Sequence, residues 1–311
     1  MVDRDTKMQI VQEKVNQIIK GKEEVVRKVL AAIMGGGHIL MEDVPGVGKT
    51  TLATTFARVL SLDYKRVQFT PDVLPSDLLG FSMYNSQTKE FDFREGSVFC
   101  NLFLADELNR TSPKTQSALL EVMEEHQASV EGQTRVLPDP FIVIATQNPV
   151  GSSGTQMLPE SQMDRFMVCL TMGYPAHEEA VSILKGEVWN QVGGLDQVLT
   201  LDELKELQAE TDKVFVHDAI YDYIVTIVER TREHELFVAG ASPRGTIALL
   251  KMSRAMAMLE GRDFVTAQDV QNVAKDVLGH RVRLGSRARA EGKTVGDCVK
   301  VLLGEIKSPR M

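Results

Sequence analysis

The residues Asp43-Val44-Pro45-Gly46-Val47-Gly48-Lys49-Thr50 have the types and spacing of a phosphate cradle. They stand between a short apolar run, His38-Ile39-Leu40-Met41, and a stretch of helical periodicity from Lys49 to Leu60. In such a strand–loop–helix context, glycines let backbone N–H groups turn inward around phosphates, and the helix N-terminus adds its positive dipole end. Lys49 is expected to reach the β- and γ-phosphates of ATP, and Thr50 to hold Mg²⁺. Thr51 follows at the helix start and completes the expected ATP/ADP-contacting set, residues 43 to 51. Asp43 departs from the strict pattern, which has glycine at that position.

Two further strand ends carry suitable groups. Leu102-Phe103-Leu104-Ala105 runs into Asp106-Glu107, placing two carboxylates at the carboxyl end of an apolar strand, the edge where open α/β sheets bind ligands. Asp106 is the expected Mg²⁺ partner, partly through water, and Glu107 the group that orients or deprotonates an attacking water. A site that only binds nucleotide has no need of the second acid. Phe141-Ile142-Val143-Ile144-Ala145-Thr146 leads to Gln147-Asn148-Pro149. Asn148 could position the water without adding charge; a turn asparagine before proline is the equally weighted structural reading.

The elements that must hold these groups follow from periodicity. Apolar strands are expected at 38–41, 66–69, 102–105, 141–146 and 167–171, alternating with helices, including amphipathic ones built on Met8, Val11, Val15 and Ile18 and on Val25, Val26, Val29, Leu30 and Ile33. Short buried strands between helices indicate an α/β fold, a mostly parallel sheet with helices on both faces. After Tyr174-Pro175 the pattern is helical only, with helices expected at 177–185, 201–210, 219–232, 243–260 and 267–278. Ser242 before Pro243, and Thr266 with Asp269, read as helix starts. The expected division is an α/β core over 1–175 and an all-helical domain over 176–311.

Composition excludes several classes. The 311 residues carry 35 basic against 43 acidic side chains, a formal charge of −8, and 43% are hydrophobic, so the chain is neither disordered nor a bulk nucleic-acid binder by composition. A membrane span needs about 18 consecutive apolar residues. The longest apolar run, Val29 to Met41, is broken by Gly35, Gly36, Gly37 and His38. Cys100, Cys169 and Cys298 are isolated, which fits a reducing cytoplasm and neither a disulfide framework nor a zinc cluster.

The loop 43–50, the Leu102–Glu107 strand and the Ala145–Pro149 strand end together resemble an AAA+ ATPase. Phe69 to Gly80, Glu107-Leu108-Asn109-Arg110, Pro113-Lys114-Thr115-Gln116 and Leu158 to Phe166 are more specific, and resemble the MoxR family of AAA+ proteins across nearly the whole chain. The resemblance implies a P-loop NTPase core with a parallel five-stranded sheet and inserted hairpins, then an all-α lid. It implies that Asp164-Arg165-Phe166 carries an arginine finger, so that Arg165 reaches a neighbouring subunit's site. It also implies that Gly240-Ala241-Ser242-Pro243-Arg244 is the sensor-2 motif, with Arg244 acting on phosphate in its own or a neighbour's site. Phe81–Phe99 resembles the inserted hairpin, and Ala128–Val136 reads as a second hairpin turning at Glu131-Gly132. Each is either client-facing or plainly structural.

The resemblance then implies Mg²⁺-dependent ATP hydrolysis by a homo-oligomeric, hexameric ring that remodels or matures a protein client, with a partner bearing a von Willebrand A domain. The alternatives are a metal-chelatase motor subunit, a nucleic-acid motor and a non-hydrolysing nucleotide switch. Several signals stay open. Ile18 and Ile19 flank the adenine or simply fill a core; Arg110 reads a neighbour's nucleotide or pairs with an acid. Arg281, Arg283, Arg287 and Arg289 form a solvated face or dock a partner. The six histidines are scattered, and Met252, Met256 and Met258 read as core.

Overall fold

The computed structural model of the chain describes residues 4–148, 158–185 and 193–309; Pro149, which closes the third strand-end motif, lies outside them. Two helices, α1 (Arg4–Ile18) and α2 (Glu23–Met34), precede strand β1 (Ile39–Glu42) and helix α3 (Lys49–Val59). Then come β2 (Tyr64–Gln68), α4 (Pro75–Leu79), the hairpin β3 (Gly80–Asn85) and β4 (Glu90–Glu95), β5 (Leu102–Asp106) and α5 (Pro113–Glu125). A second hairpin, β6 (Gln127–Val130) and β7 (Gln133–Val136), leads to β8 (Ile142–Gln147), α6 (Glu160–Met163), β9 (Val168–Leu170) and α7 (His177–Leu184).

The five-stranded sheet has the order β2-β5-β8-β1-β9, every pair parallel. Burial follows position. The central strand β8 is buried throughout, whereas edge strand β2 is not, which is why its sequence, Tyr-Lys-Arg-Val-Gln, reads so weakly. It starts at Tyr64, which pairs with Leu102, rather than at Arg66. The β6–β7 turn places Glu131 and Gly132 at φ 52° and 76°, the paired positive values that a tight two-residue hairpin requires. The two hairpins touch: Ser82 N–H donates to Glu131 Oε1 at 3.3 Å, and the Arg135 guanidinium lies 3.6 Å from the centre of the Phe93 ring.

Beyond β9 the lid is helical, with helices at Leu201–Thr211, Asp218–Glu233, Pro243–Leu259, Ala267–Leu278 and Val295–Glu305. The expected starts hold: Ser242 Oγ accepts from Arg244 N–H, and Thr266 and Asp269 form a capping box. The lid also carries a ribbon absent from the sequence reading, β10 (Phe237–Ala239) antiparallel to β11 (Arg283–Leu284). Strands this short, and this far apart in sequence, leave no periodic signal. Among the described residues no helix is long and apolar enough to cross a membrane.

Core and lid share one apolar cluster, in which α1, α2, Met252, Met256 and Met258 pack together. Ile18 and Ile19 are buried in it. Two histidines are buried core groups, His38 bonded through both ring nitrogens and His280 through Nε2. His38 accepts from Val143 N–H at Nδ1 and bonds the Met123 carbonyl through Nε2, and burial pushes its pKa down to about 4. His280 bonds the Phe166 carbonyl at 3.0 Å, and burial pushes it down to about 3.

Arg281 does not belong to a solvated basic face. Its side chain is 2% exposed and reaches from the lid onto the core segment after α6. It donates to Asp164 Oδ1 at 2.8 Å and to the carbonyls of Asp164, Phe166 and Met167 at 2.9, 2.6 and 3.1 Å. Arg283 and Arg287, by contrast, are exposed and pair with Glu160 and Glu235. Arg281→Ala is expected to lower stability by about 3–5 kcal/mol, because Asp164 loses its buried cation and the carbonyls of Asp164, Phe166 and Met167 each lose a donor together. Urea unfolding monitored by circular dichroism measures this, and a loss below about 1 kcal/mol, the scale of a surface pair, would refute the linking role.

Candidate functional site

The loop between β1 and α3 turns at Gly46 and Gly48, whose φ values of 86° and 98° lie in the region that side chains avoid. Gly48 caps α3, so the helix starts at Lys49 with its N–H groups facing the loop. Lys49 is buried, and its Nζ donates to the carbonyls of Asp43 at 2.9 Å and Val44 at 3.3 Å. Burial lowers its pKa, and Asp43, Asp106 and Glu107 oppose that shift. Val47 packs on the apolar cluster and anchors the loop from behind.

Asp43 explains itself. It is 4% exposed, and its carboxylate accepts from Met172 N–H at 2.5 Å and Gly173 N–H at 3.0 Å. It therefore ties the loop to the chain leaving β9, a link that glycine cannot make. Restoring the strict pattern with Asp43→Gly should weaken the protein by about 1–3 kcal/mol and raise KM for ATP. Thermal unfolding and steady-state kinetics test it; a more stable variant with a lower KM would contradict the tether.

At the end of β5, Asp106 Oδ1 accepts from Thr146 Oγ at 2.7 Å and Oδ2 pairs with Arg66 at 2.7 Å. Glu107 adopts left-handed backbone angles, φ 56° and ψ 47°, an uncommon state for a non-glycine residue that a neighbouring contact must hold. That contact is its N–H, which donates to the same Thr146 Oγ at 2.8 Å. Its carboxylate rests on Arg110 at 2.6 Å, so Arg110 takes the acid-pairing reading. Asn148 follows β8, and its carbonyl accepts from Asn109 Nδ2 at 3.4 Å.

These groups line one cavity of about 260 Å³, shared by Asp43, Pro45, Gly46, Gly48, Lys49, Thr50, Thr51, Asp106, Glu107 and Asn148. The sequence reading missed Arg66, Gln68, Thr146 and Gln147, which line it too. Strand alternation carried part of the signal: Gln68 registers against Asp106 and Arg66 shares its face. The site fits Mg²⁺ by donor chemistry. A carboxylate and a hydroxyl beside a phosphate cradle suit a hard cation that takes few protein ligands and completes its shell with phosphate and water.

Arg165 and Arg244 are not in that cavity. They line a separate one of about 200 Å³ with Glu124, Lys251 and Arg281. Arg165 Nε donates to Glu124 Oε2 at 2.9 Å, and Arg244 pairs with the other oxygen of the same carboxylate. The chain thus holds the cradle and the acids in one place and the two expected phosphate-reading arginines in another.

Known proteins share this architecture. The sequence pattern of the ATPase family associated with various cellular activities (AAA) matches residues 38–168, and that of the AAA lid domain matches 229–300. The uncharacterized protein YeaC of Bacillus subtilis is 46% identical over 96% of this chain and 93% of its own length. Chaperone MoxR1 of Mycobacterium tuberculosis is 42% identical over 89% of this chain and 76% of its own. A crystal structure of a candidate ATPase from Cytophaga hutchinsonii superposes with a TM-score of 0.88 at 36% identity, covering 98% of this chain and 96% of that one. The order of motifs, the parallel sheet, the helical lid and these relatives together show that the chain belongs to the MoxR family of AAA+ ATPases.

Proposed function

We propose that this chain hydrolyses ATP with Mg²⁺ at sites completed between subunits of a hexameric ring, and that the cycle remodels or matures a protein client. The observation that carries this reading is the split just described: Lys49, Asp106, Glu107 and Asn148 share one cavity, while Arg165 and Arg244 line another. A subunit so arranged keeps Arg66 on Asp106 within its own cavity and presents Arg165 and Arg244 elsewhere. Both arginines then act on a neighbour's nucleotide.

In this reading Gly46, Gly48 and Lys49 bind the phosphates, and Thr50 and Asp106 hold Mg²⁺, which neutralises phosphate charge when bound. Glu107 takes the proton of the attacking water, Asn148 orients that water, and the neighbour's arginines stabilise the transferred phosphoryl group. The core spans 1–175 and the lid 176–311, and the lid moves with the arginines because Arg281 fastens it to Asp164. A relative bearing the name chaperone supports a protein client, and a von Willebrand A domain protein is the partner class we assign. The reducing cytoplasm is the compartment.

The test is mass by light scattering with Mg²⁺-ATP, using Glu107→Gln to arrest hydrolysis, followed by co-purification from its native cells. A ring of six that retains a client and a partner of that class is expected. A monomer at all nucleotide concentrations would overturn the assembly, and recovery of nucleic acid in place of protein would overturn the client class.

A further inference from the structure

Glu124 is an unusual meeting point. It lies in the last turn of α5 and brings together two cations from different parts of the fold. Arg165 belongs to the core segment after α6, and Arg244 to the first turn of the lid helix Pro243–Leu259. Two guanidinium groups repel each other, and they share this place because one carboxylate lies between them. Stability does not account for the arrangement. The side chains of Glu124, Arg165 and Arg244 are 36%, 28% and 48% exposed, and ion pairs so exposed contribute at most about 1 kcal/mol.

The backbone around them is already fixed. Asp164 accepts from Ser242 Oγ at 2.7 Å and from Arg281 Nε at 2.8 Å, so the segment bearing Arg165 and the helix start bearing Arg244 are fastened together. What remains to be set is the aim of two long, flexible side chains. Each guanidinium carries five N–H donors, and Glu124 accepts from one nitrogen of each. The carboxylate therefore orients both groups and leaves donors on each for an anion.

We propose that Glu124 is a positioning residue that holds Arg165 and Arg244 as a pair, pre-aimed at the phosphates bound by the neighbouring subunit. This rests on the assignment of both arginines to the neighbour's site. Pre-organisation of this kind acts on the rate of the chemical step, because misplacing a phosphate-reading group by an ångström costs up to about a hundredfold.

The experiment mixes two variants. An acceptor carrying Arg165→Ala and Arg244→Ala keeps its own cradle and acids but donates no arginine. A donor carrying Glu107→Gln has a disabled site of its own and intact arginines. Mixed with excess donor, the acceptor should regain turnover. Adding Glu124→Gln to the donor should then lower the regained kcat by about tenfold to a hundredfold with little change in KM. Gln is accommodated at so exposed a position, so the loss reports aim and not folding. Equal turnover with either donor overturns the proposal, as does an equal loss when Glu124→Gln is moved to the acceptor. If the plain donor restores nothing, the neighbour assignment falls first and this inference falls with it.

Discussion

Replacing Glu107 with Gln should lower ATP turnover by about 10²- to 10⁴-fold while nucleotide still binds, the scale of losing a positioned general base. The amide has nearly the same shape but cannot accept the proton of the attacking water. The rest of the site stays in place. The strained backbone at φ 56° is held by the bond from Glu107 N–H to Thr146, which the substitution leaves untouched. Asp106 keeps its own bonds to Thr146 and Arg66, and Lys49 keeps its place over the loop carbonyls. The one pair lost is that with Arg110, an exposed contact three residues along the chain, worth less than about 1 kcal/mol. Single-turnover hydrolysis measured beside the binding of a fluorescent ATP analogue separates the two effects. If the variant hydrolyses ATP as fast as the parent, Glu107 is not the base.

The same pair says something about the resting subunit. Glu107 lines the cavity while its Oε2 accepts from Arg110 at 2.6 Å, so one of its two oxygens is held by a cation. An exposed pair of this strength yields to a modest competing interaction.

The cradle and the two acids were legible in the sequence because they are local. A strand, its terminal residues and the following helix are contiguous, so Gly48, Lys49, Asp106 and Glu107 report their setting without knowledge of the rest of the chain. The groups that stayed hidden are set by long-range contacts. Thr146 looks like one more β-branched residue of a buried strand, yet it bonds both Asp106 and Glu107. Arg281 looks like part of a solvated cluster, because an arginine in a basic stretch carries no mark of the four acceptors it meets on the core segment 164–167 after folding. Asp43 reads as a blemish in the loop until the N–H groups of Met172 and Gly173 are seen beside it. The paired strands at 237–239 and 283–284 are invisible for the same reason: each gains meaning only from the other.

Arg165→Ala should lower kcat by about 10³- to 10⁵-fold, the contribution of an arginine that neutralises charge on a transferring phosphoryl group. Its location decides how this loss will look. Because Arg165 lines a different cavity from Lys49, the variant keeps a complete cradle, and nucleotide affinity should change far less than turnover. The ion pair with Glu124 is lost as well, but at that exposure it costs under about 1 kcal/mol, so the fold survives. The unmodified protein should also behave as a site shared between copies. Its turnover per subunit should rise with protein concentration and level off once assembly is complete, whereas the variant stays low throughout. Assays over a wide dilution series, with assembly followed by light scattering, measure both quantities. Turnover per subunit that is independent of dilution down to concentrations where the protein is monomeric would place a complete site in one chain. So would an Arg165→Ala protein that keeps the parental kcat, and either result would remove the reason for a ring.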